Sequence, residues 1–292
     1  MAELLKGAAV AAAMTEVSAD EVRRLEANNI KPALAIVRVG ENPGDIAYER
    51  NAGKKCAASG VAVRNVLLPA DCEQTRMLDV IESLNADNSV HGVLIFRPLP
   101  EHIDDDSIRA ALSPMKDVDG ITDASLARVF TGRNTVFAPC TARACLEILD
   151  YYGVSLEGKL VVVVGRSLVI GKPVAMLMVN RHATVTICHT RTKNLPSLCR
   201  EAEILVAAAG HARMIGREYL SAGQTVIDVG INVTGDEICG DVSDKDACEL
   251  AAAYTPVPGG VGTVTSAVLV SHVVSAAWNA YRATLKEATI RG

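Results

Sequence analysis

Residues 159–173 read KLVVVVGRSLVIGKP, and this stretch decides the fold class. Leu160 to Val164 is an unbroken, mostly β-branched apolar run, the pattern of a strand buried on both faces. Gly165 follows where the chain must turn sharply, then Arg166 and Ser167 supply a cation and a hydroxyl. Gly171, Lys172 and Pro173 open a helix; Pro173 suits a first helical position, where its missing N–H has no partner anyway. Val174, Leu177, Met178 and Arg181 recur at i, i+3, i+4 and i+7, one apolar face ending in a basic residue. Strand, glycine turn and helix N-terminus together suit a phosphate: free N–H groups and the positive end of the helix dipole face the anion.

Glycines stand at 165 and 171 only, short of the GxGxxG dinucleotide fingerprint, so an ordinary strand–helix turn competes with this reading. The next segment tips the balance. Ala183 to His189 alternates as a strand, and His189–Thr190–Arg191 follows. In the usual dinucleotide fold an acidic residue in this region holds the ribose 2′-hydroxyl. Here there is none; an arginine would instead pair with a 2′-phosphate. With Arg166 nearby, the sequence points to NADP rather than NAD.

A chain of 292 residues suggests two domains. Its 49% hydrophobic and 22% charged residues describe an ordinary globular protein, and at 3% aromatic its core must be aliphatic. The net charge of −5 argues against nucleic acid or an anionic membrane as a main partner. No apolar run is read as approaching a membrane span. The N-terminal MAELLKGAAVAAAM lacks the basic start of a signal peptide, and Ser18–Ala–Asp–Glu21 reads as a capping box. Eight cysteines without a C-x-x-C pair suit reduced thiols in the cytoplasm, and no metal site is expected.

Strand and helix patterns alternate along the chain. Helix is expected over 21–29, strand over 33–39, and helix over 46–59 with Asp45 as its cap and Gly60 closing it. Strand follows over 61–68, helix over 75–85 with Met77, Val80, Ile81 and Leu84 inward, and strand over 90–96. Short helix over 107–112 and helix after Phe137–Thr141 precede the central unit; strands over 203–209 and 225–230 follow it. Residues 254–262, YTPVPGGVG, form an irregular loop, and a long apolar helix covers 265–282. The fold class is therefore α/β: two α/β domains, the second a Rossmann-like parallel sheet, with the C-terminal helix packing back on the first. The expected boundaries are 1–120 with 265–292, and 121–264.

Eight short motifs occur in one order: Val39–Gly40 with Asn42–Pro43 and Tyr48; Gly92–Val–Leu94 with Pro98–Leu–Pro100; Lys116–Asp–Val–Asp–Gly120; Pro139–Cys–Thr141; Gly165–Arg–Ser167 with Gly171 and Pro173; Cys188–His–Thr–Arg191; Asp228–Val–Gly–Ile–Asn232; and Pro256–Val–Pro–Gly–Gly–Val–Gly262. Over nearly its whole length the chain thus resembles the methylenetetrahydrofolate dehydrogenase/cyclohydrolase family. The resemblance implies NADP-linked oxidation of 5,10-methylenetetrahydrofolate and hydrolysis of the methenyl product to 10-formyltetrahydrofolate. It also implies a cytoplasmic homodimer with a cleft between its two domains, serving one-carbon metabolism and purine biosynthesis. Tyr48 and Asp119 are then expected against the pterin, Tyr48 on its flat face and Asp119 on its edge of N–H donors. Pro258, Gly259, Gly260 and Gly262 are expected near the substrate. Gly165, Arg166, Ser167, Thr190, Arg191 and Ile231 are expected around the cofactor. Ser167 fits turn stabilisation equally well, and Asp228 fits a loop-fixing role.

Two departures bear on catalysis. The family's lysine, four residues after the tyrosine, is replaced by Ala52; Lys54 and Lys55 stand nearby. A variant subgroup sharing the Tyr–Glu–Arg opening favours Lys54, which is the expected acid–base group if Gly53 loosens the helix; helical phase makes Lys55 the alternative, about 20° from Tyr48 against about 120° for Lys54. The glutamine that assists the lysine is replaced by Phe96, followed by Arg97. The competing readings are a dehydrogenase with weak or absent cyclohydrolase activity, a dehydrogenase for a shikimate-like substrate, and a non-catalytic folate- or nucleotide-binding relative.

Overall fold

The structure, a computed structural model, describes residues 2–132, 137–235 and 237–291, with the backbone alone over 287–291. In chain order the elements are β1 (Glu3–Leu4), α1 (Gly7–Glu26), β2 (Ala33–Val39), α2 (Pro43–Ala58), β3 (Ala62–Leu68), α3 (Gln74–Ala86), β4 (Gly92–Ile95), α4 (Asp105–Ala111), α5 (Asp123–Thr131) and α6 (Cys140–Tyr151). Then come β5 (Leu160–Val164), α7 (Gly171–Val179), β6 (Thr184–Cys188), α8 (Leu195–Glu201), β7 (Ile204–Ala207), β8 (Thr225–Asp228), β9 (Asn232–Thr234), β10 (Glu237–Cys239), α9 (Asp244–Leu250), β11 (Ala253–Tyr254) and α10 (Val261–Arg291).

One compact unit comprises Met1–Ala12, Val129–Arg133 and Pro139–Thr265. Its six-stranded sheet runs β1-β11-β8-β7-β5-β6, and every pair is parallel. Strand order reverses at β5, which has β6 on one side and β7 on the other. Val161 to Val164 are all buried, as a central strand covered on both faces requires. Val162, Val164, Leu205, Ala207 and Val226 join the core of one face.

The other unit comprises Ala13–Arg128, Asn134–Ala138 and Ser266–Gly292. Its parallel sheet runs β3-β2-β4. Met77, Val80, Ile81 and Leu84 of α3 bury against Ala35, Val37, Val93 and Ile95, each large side chain contributing about 1.5–3 kcal/mol. Gly92 opens β4 for a packing reason: a Cβ there would lie 2.6 Å from Val118 and 3.1 Å from Val273 of α10. The C-terminal helix thus packs on this first-domain sheet, as expected.

Several details differ from the sequence reading. β1 pairs with β11, which draws residues 1–12 into the Rossmann-like unit instead of the first domain. Ser18–Glu21 is not a helix start. The alanine-rich run carries α1 back to Gly7, leaving Ser18 buried mid-helix and Glu21 paired with Arg24. Asn42, not Asp45, caps α2: its Oδ1 accepts from Gly44 N at 2.8 Å. Pro173 is the third residue of α7 rather than the first, and Arg181 lies beyond its end, paired with Asp150. Val261–Lys286 of α10 is long and apolar enough by those measures to cross a membrane, contrary to expectation; 67% of its apolar 18-residue stretch is buried inside the protein. All eight cysteines are free, seven of them buried.

Candidate active site

Two of the expected substrate residues, Tyr48 and Asp119, belong to the first-domain unit. The 116–120 turn runs beside β4: Val93 N donates to Lys116 O at 2.8 Å, and Val93 and Asp117 form a parallel bridge. The chain turns at once after Asp117, Gly120 N donating to Asp117 O at 3.3 Å, so Asp119 lies in the turn that follows the bridge. Phe96, the first residue after β4, meets the Tyr48 ring edge-on, with centroids 5.6 Å apart and planes at 87°. Tyr48 and Asp119 are both half-buried, the first packed on the residue that follows β4 and the second in the turn bridged to β4.

The turn is held from inside. The fully buried Asp117 carboxylate accepts from Ile121 N (2.9 Å), Thr122 N (2.8 Å) and Ser125 Oγ (2.7 Å). Lys116 Nζ donates to Leu84 O and Asp87 O at the end of α3, and burial lowers its pKa. His272 Nδ1 lies 2.9 Å from Val118 O, next to Asp119. Asp117 thus builds the turn that carries Asp119.

α2 runs unbroken through Gly53, so its helical phase holds. Ala52, on the Tyr48 side, is 1% exposed; Lys54 is exposed and Lys55 half-buried. Arg38 Nε donates to Glu49 Oε2 at 2.8 Å, an ion pair with side chains 9% and 14% exposed that pins α2 to β2 beside Tyr48. Sequence reading missed this pair; a lone arginine inside an apolar strand was its signal. Arg97 is claimed by Asp105 through bonds of 2.7 and 2.5 Å, so its charge is answered locally.

In the Rossmann-like unit the β5–α7 turn is as tight as the sequence implied. Gly165 has φ +129°, and a Cβ there would lie 2.1 Å from Ala208 O; one at Gly171 would lie 2.2 Å from Gly165 O. Ser167 Oγ accepts from Ile170 N at 3.1 Å, so this hydroxyl stabilises the turn. Arg166, Thr190 and Arg191 are exposed at the carboxyl ends of β5 and β6. His189 shapes that second corner: its Nδ1 accepts from Arg191 N at 3.1 Å. Ser167 also takes up the first N–H groups of α7, Gly171 N on its Oγ and Lys172 N on its carbonyl, so the set left to fit a 2′-phosphorylated dinucleotide is the close backbone of the turn, two guanidiniums and no carboxylate at 189–191.

Ile231, 66% exposed, and Gly262 meet: a Cβ at Gly262 would lie 3.3 Å from Ile231 Cδ1. Pro258 and Gly259 are exposed; Gly259 has φ +104°, and its carbonyl accepts from Gly7 N at 2.8 Å. Gly260 is buried where a Cβ would lie 2.5 Å from Pro256 O.

Sequence models of tetrahydrofolate dehydrogenase/cyclohydrolase match both parts, the catalytic domain over residues 5–119 and the NAD(P)-binding domain over 139–281. The chain is 48% identical to the bifunctional protein FolD of Carboxydothermus hydrogenoformans over 279 residues, covering 94% of this chain and 97% of that one. Among solved structures, the Campylobacter jejuni bifunctional FolD enzyme superposes with TM-score 0.93 at 35% identity, covering 96% and 99%. The Trypanosoma brucei enzyme, complexed with NADP cofactor and inhibitor, gives 0.91 at 33%, with the same coverage.

Proposed function

The chain belongs to the tetrahydrofolate dehydrogenase/cyclohydrolase family, and from that premise we propose that it oxidises 5,10-methylenetetrahydrofolate with NADP and hydrolyses the methenyl product to 10-formyltetrahydrofolate. The observation that carries this reading is that both family domains match while the Gly165 turn and the Asp119 turn are each built intact.

Asp119 accepts hydrogen bonds from the pterin's amine and amide edge, charge-assisted and therefore strong. Tyr48 offers its ring to the pterin face, its edge fixed by Phe96. Pro258, Gly259, Gly260 and Gly262 form the wall near the substrate. The Gly165 turn holds the cofactor's pyrophosphate, Arg166 and Arg191 its 2′-phosphate, with Thr190 and Ile231 beside it. When bound, NADP supplies the acceptor for the hydride leaving the methylene carbon. Positioning dominates that step. Water attack on the methenyl cation needs a proton-transfer group. That role is assigned to the Lys54–Lys55 pair: the family resemblance supports Lys54, while helical phase and partial burial support Lys55.

The test is a spectrophotometric assay with methylenetetrahydrofolate and NADP. NADPH should form, and methenyltetrahydrofolate given alone should disappear. No NADPH formation refutes the dehydrogenase. Hydrolysis unchanged in both Lys54→Ala and Lys55→Ala refutes the lysine assignment.

The same proposal includes a homodimer in the cytoplasm feeding purine biosynthesis. The β9–β10 hairpin supports the dimer, since it stands as a separate two-stranded sheet with Val233 74% and Ile238 47% exposed. The free thiols support a reducing compartment. Sedimentation at micromolar concentration checks the dimer.

A further inference from the structure

We propose that Asp241, seated on Asp228, is a positioning residue for the nicotinamide half of the cofactor site. This inference rests on the NADP reading above. Asp241 is 0% exposed, and its two oxygens hold two separate segments together. Oδ2 accepts from Ala209 N (2.6 Å) and Gly210 N (2.9 Å), just after β7. Oδ1 accepts from His211 N (3.0 Å) and from Asn232 Nδ2 (2.9 Å), just after β8. Asp228, 4% exposed, lies beneath. Its Oδ1 accepts from Gly230 N and Asp241 N, both 3.0 Å, and its Oδ2 from Val242 N at 2.9 Å.

Glycines make room for both acids. A Cβ at Gly230 would lie 2.3 Å from Asp241 Oδ1, and one at Gly240 would lie 1.8 Å from Asp228 Oδ2. Two neighbouring carboxylates buried on N–H groups are a costly arrangement. Its place in the fold gives it a use. The β5 turn takes the pyrophosphate and the end of β6 the 2′-phosphate, so the other end of the dinucleotide lies over β7 and β8. There Ile231, an exposed apolar side chain, stands between Gly230, held by Asp228, and Asn232, held by Asp241. The two acids thus fix the backbone on both sides of the one residue offered to the nicotinamide ring, and the 209–211 segment beside it.

Asp241→Asn puts an amide N–H₂ against donors the carboxylate now satisfies. Wild type and variant are titrated with NADP and with adenosine 2′,5′-bisphosphate, which carries only the adenine-side half. The expected result is about tenfold weaker NADP binding and bisphosphate binding within about twofold of wild type, with kcat lowered at saturating NADP. Equal losses for both ligands, or loss for neither, overturn the proposal. If Asp241→Asn does not fold, Asn232→Ala removes only the side-chain donor, and the same selective loss is expected in smaller degree; its absence overturns the proposal too. A wild-type protein that binds neither ligand overturns the NADP reading itself, and the wild-type titration distinguishes that failure.

Discussion

Replacing Gly165 by alanine should cost far more than the same change at Gly158. Both glycines have positive φ, +129° and +72°. Around Gly158 nothing lies within 4 Å of a new Cβ, so only backbone strain is felt, about 1–2 kcal/mol. At Gly165 the strain is about 1–3 kcal/mol, and the methyl also meets Ala208 O at 2.1 Å. That carbonyl is backbone at the end of β7, which cannot rotate away. β5 and β7 must separate there by more than an ångström, adding about 1–3 kcal/mol of overpacking. The Ala208 N to Val164 O bond, 2.8 Å long, is then stretched at about 1 kcal/mol more. The total is about 3–7 kcal/mol, a large part of a typical domain's stability. Urea unfolding of both variants measures the difference, and NADP titration should show weaker binding for Gly165→Ala alone. A Gly165→Ala protein as stable as Gly158→Ala would refute the close-approach reasoning.

Arg191→Asp should reverse the preference between NADP and NAD, with NADP affinity falling at least about tenfold, measured as kcat/KM for each cofactor. Arg38→Ala leaves the Glu49 carboxylate buried and should cost about 3 kcal/mol in urea unfolding, whereas Arg38→Met with Glu49→Leu should stay within about 1 kcal/mol of wild type. Burial raises the Asp228 pKa from 3.8 to about 6, against three backbone N–H bonds that lower it. The folded state therefore holds this proton more tightly than the unfolded chain. Its stabilising contribution is full below pH 3.8 and is lost as pH rises through about 6. Between pH 5 and 7 the wild type should lose about 1 kcal/mol that Asp228→Asn does not, read as the difference between their urea midpoints.

The parts legible in the sequence were those with long-range apolar consequences. The valine run of β5 read as a strand buried on both faces, and Gly165 as the sharp turn that ends it; the close approach at Gly165 and Gly171 became visible only in the structure. The inward face of α3 followed from spacing alone. Short elements left no period to read: α5, α8 and α9 have seven to nine residues, and β9 and β10 have three each. The Ser18–Glu21 signature was overridden by alanines before it, which favour helix at every position. At the site, Tyr48 and Asp119 were picked out by their motifs as candidates, but Asp117, the buried acid that shapes the turn, looked the same in sequence as its neighbour. Asp228 was read as a loop-fixing residue; Asp241 was passed over, although a glycine directly before an acid at 240–241 was the available signal.

The pairing of Glu3–Leu4 with Ala253–Tyr254 sets a clock on biosynthesis. The edge strand β1 has no partner until some 250 residues later have been made, a highly non-local contact. Until β11 has been made β1 remains unmatched, and the six-stranded sheet is completed only by joining segments about 250 residues apart.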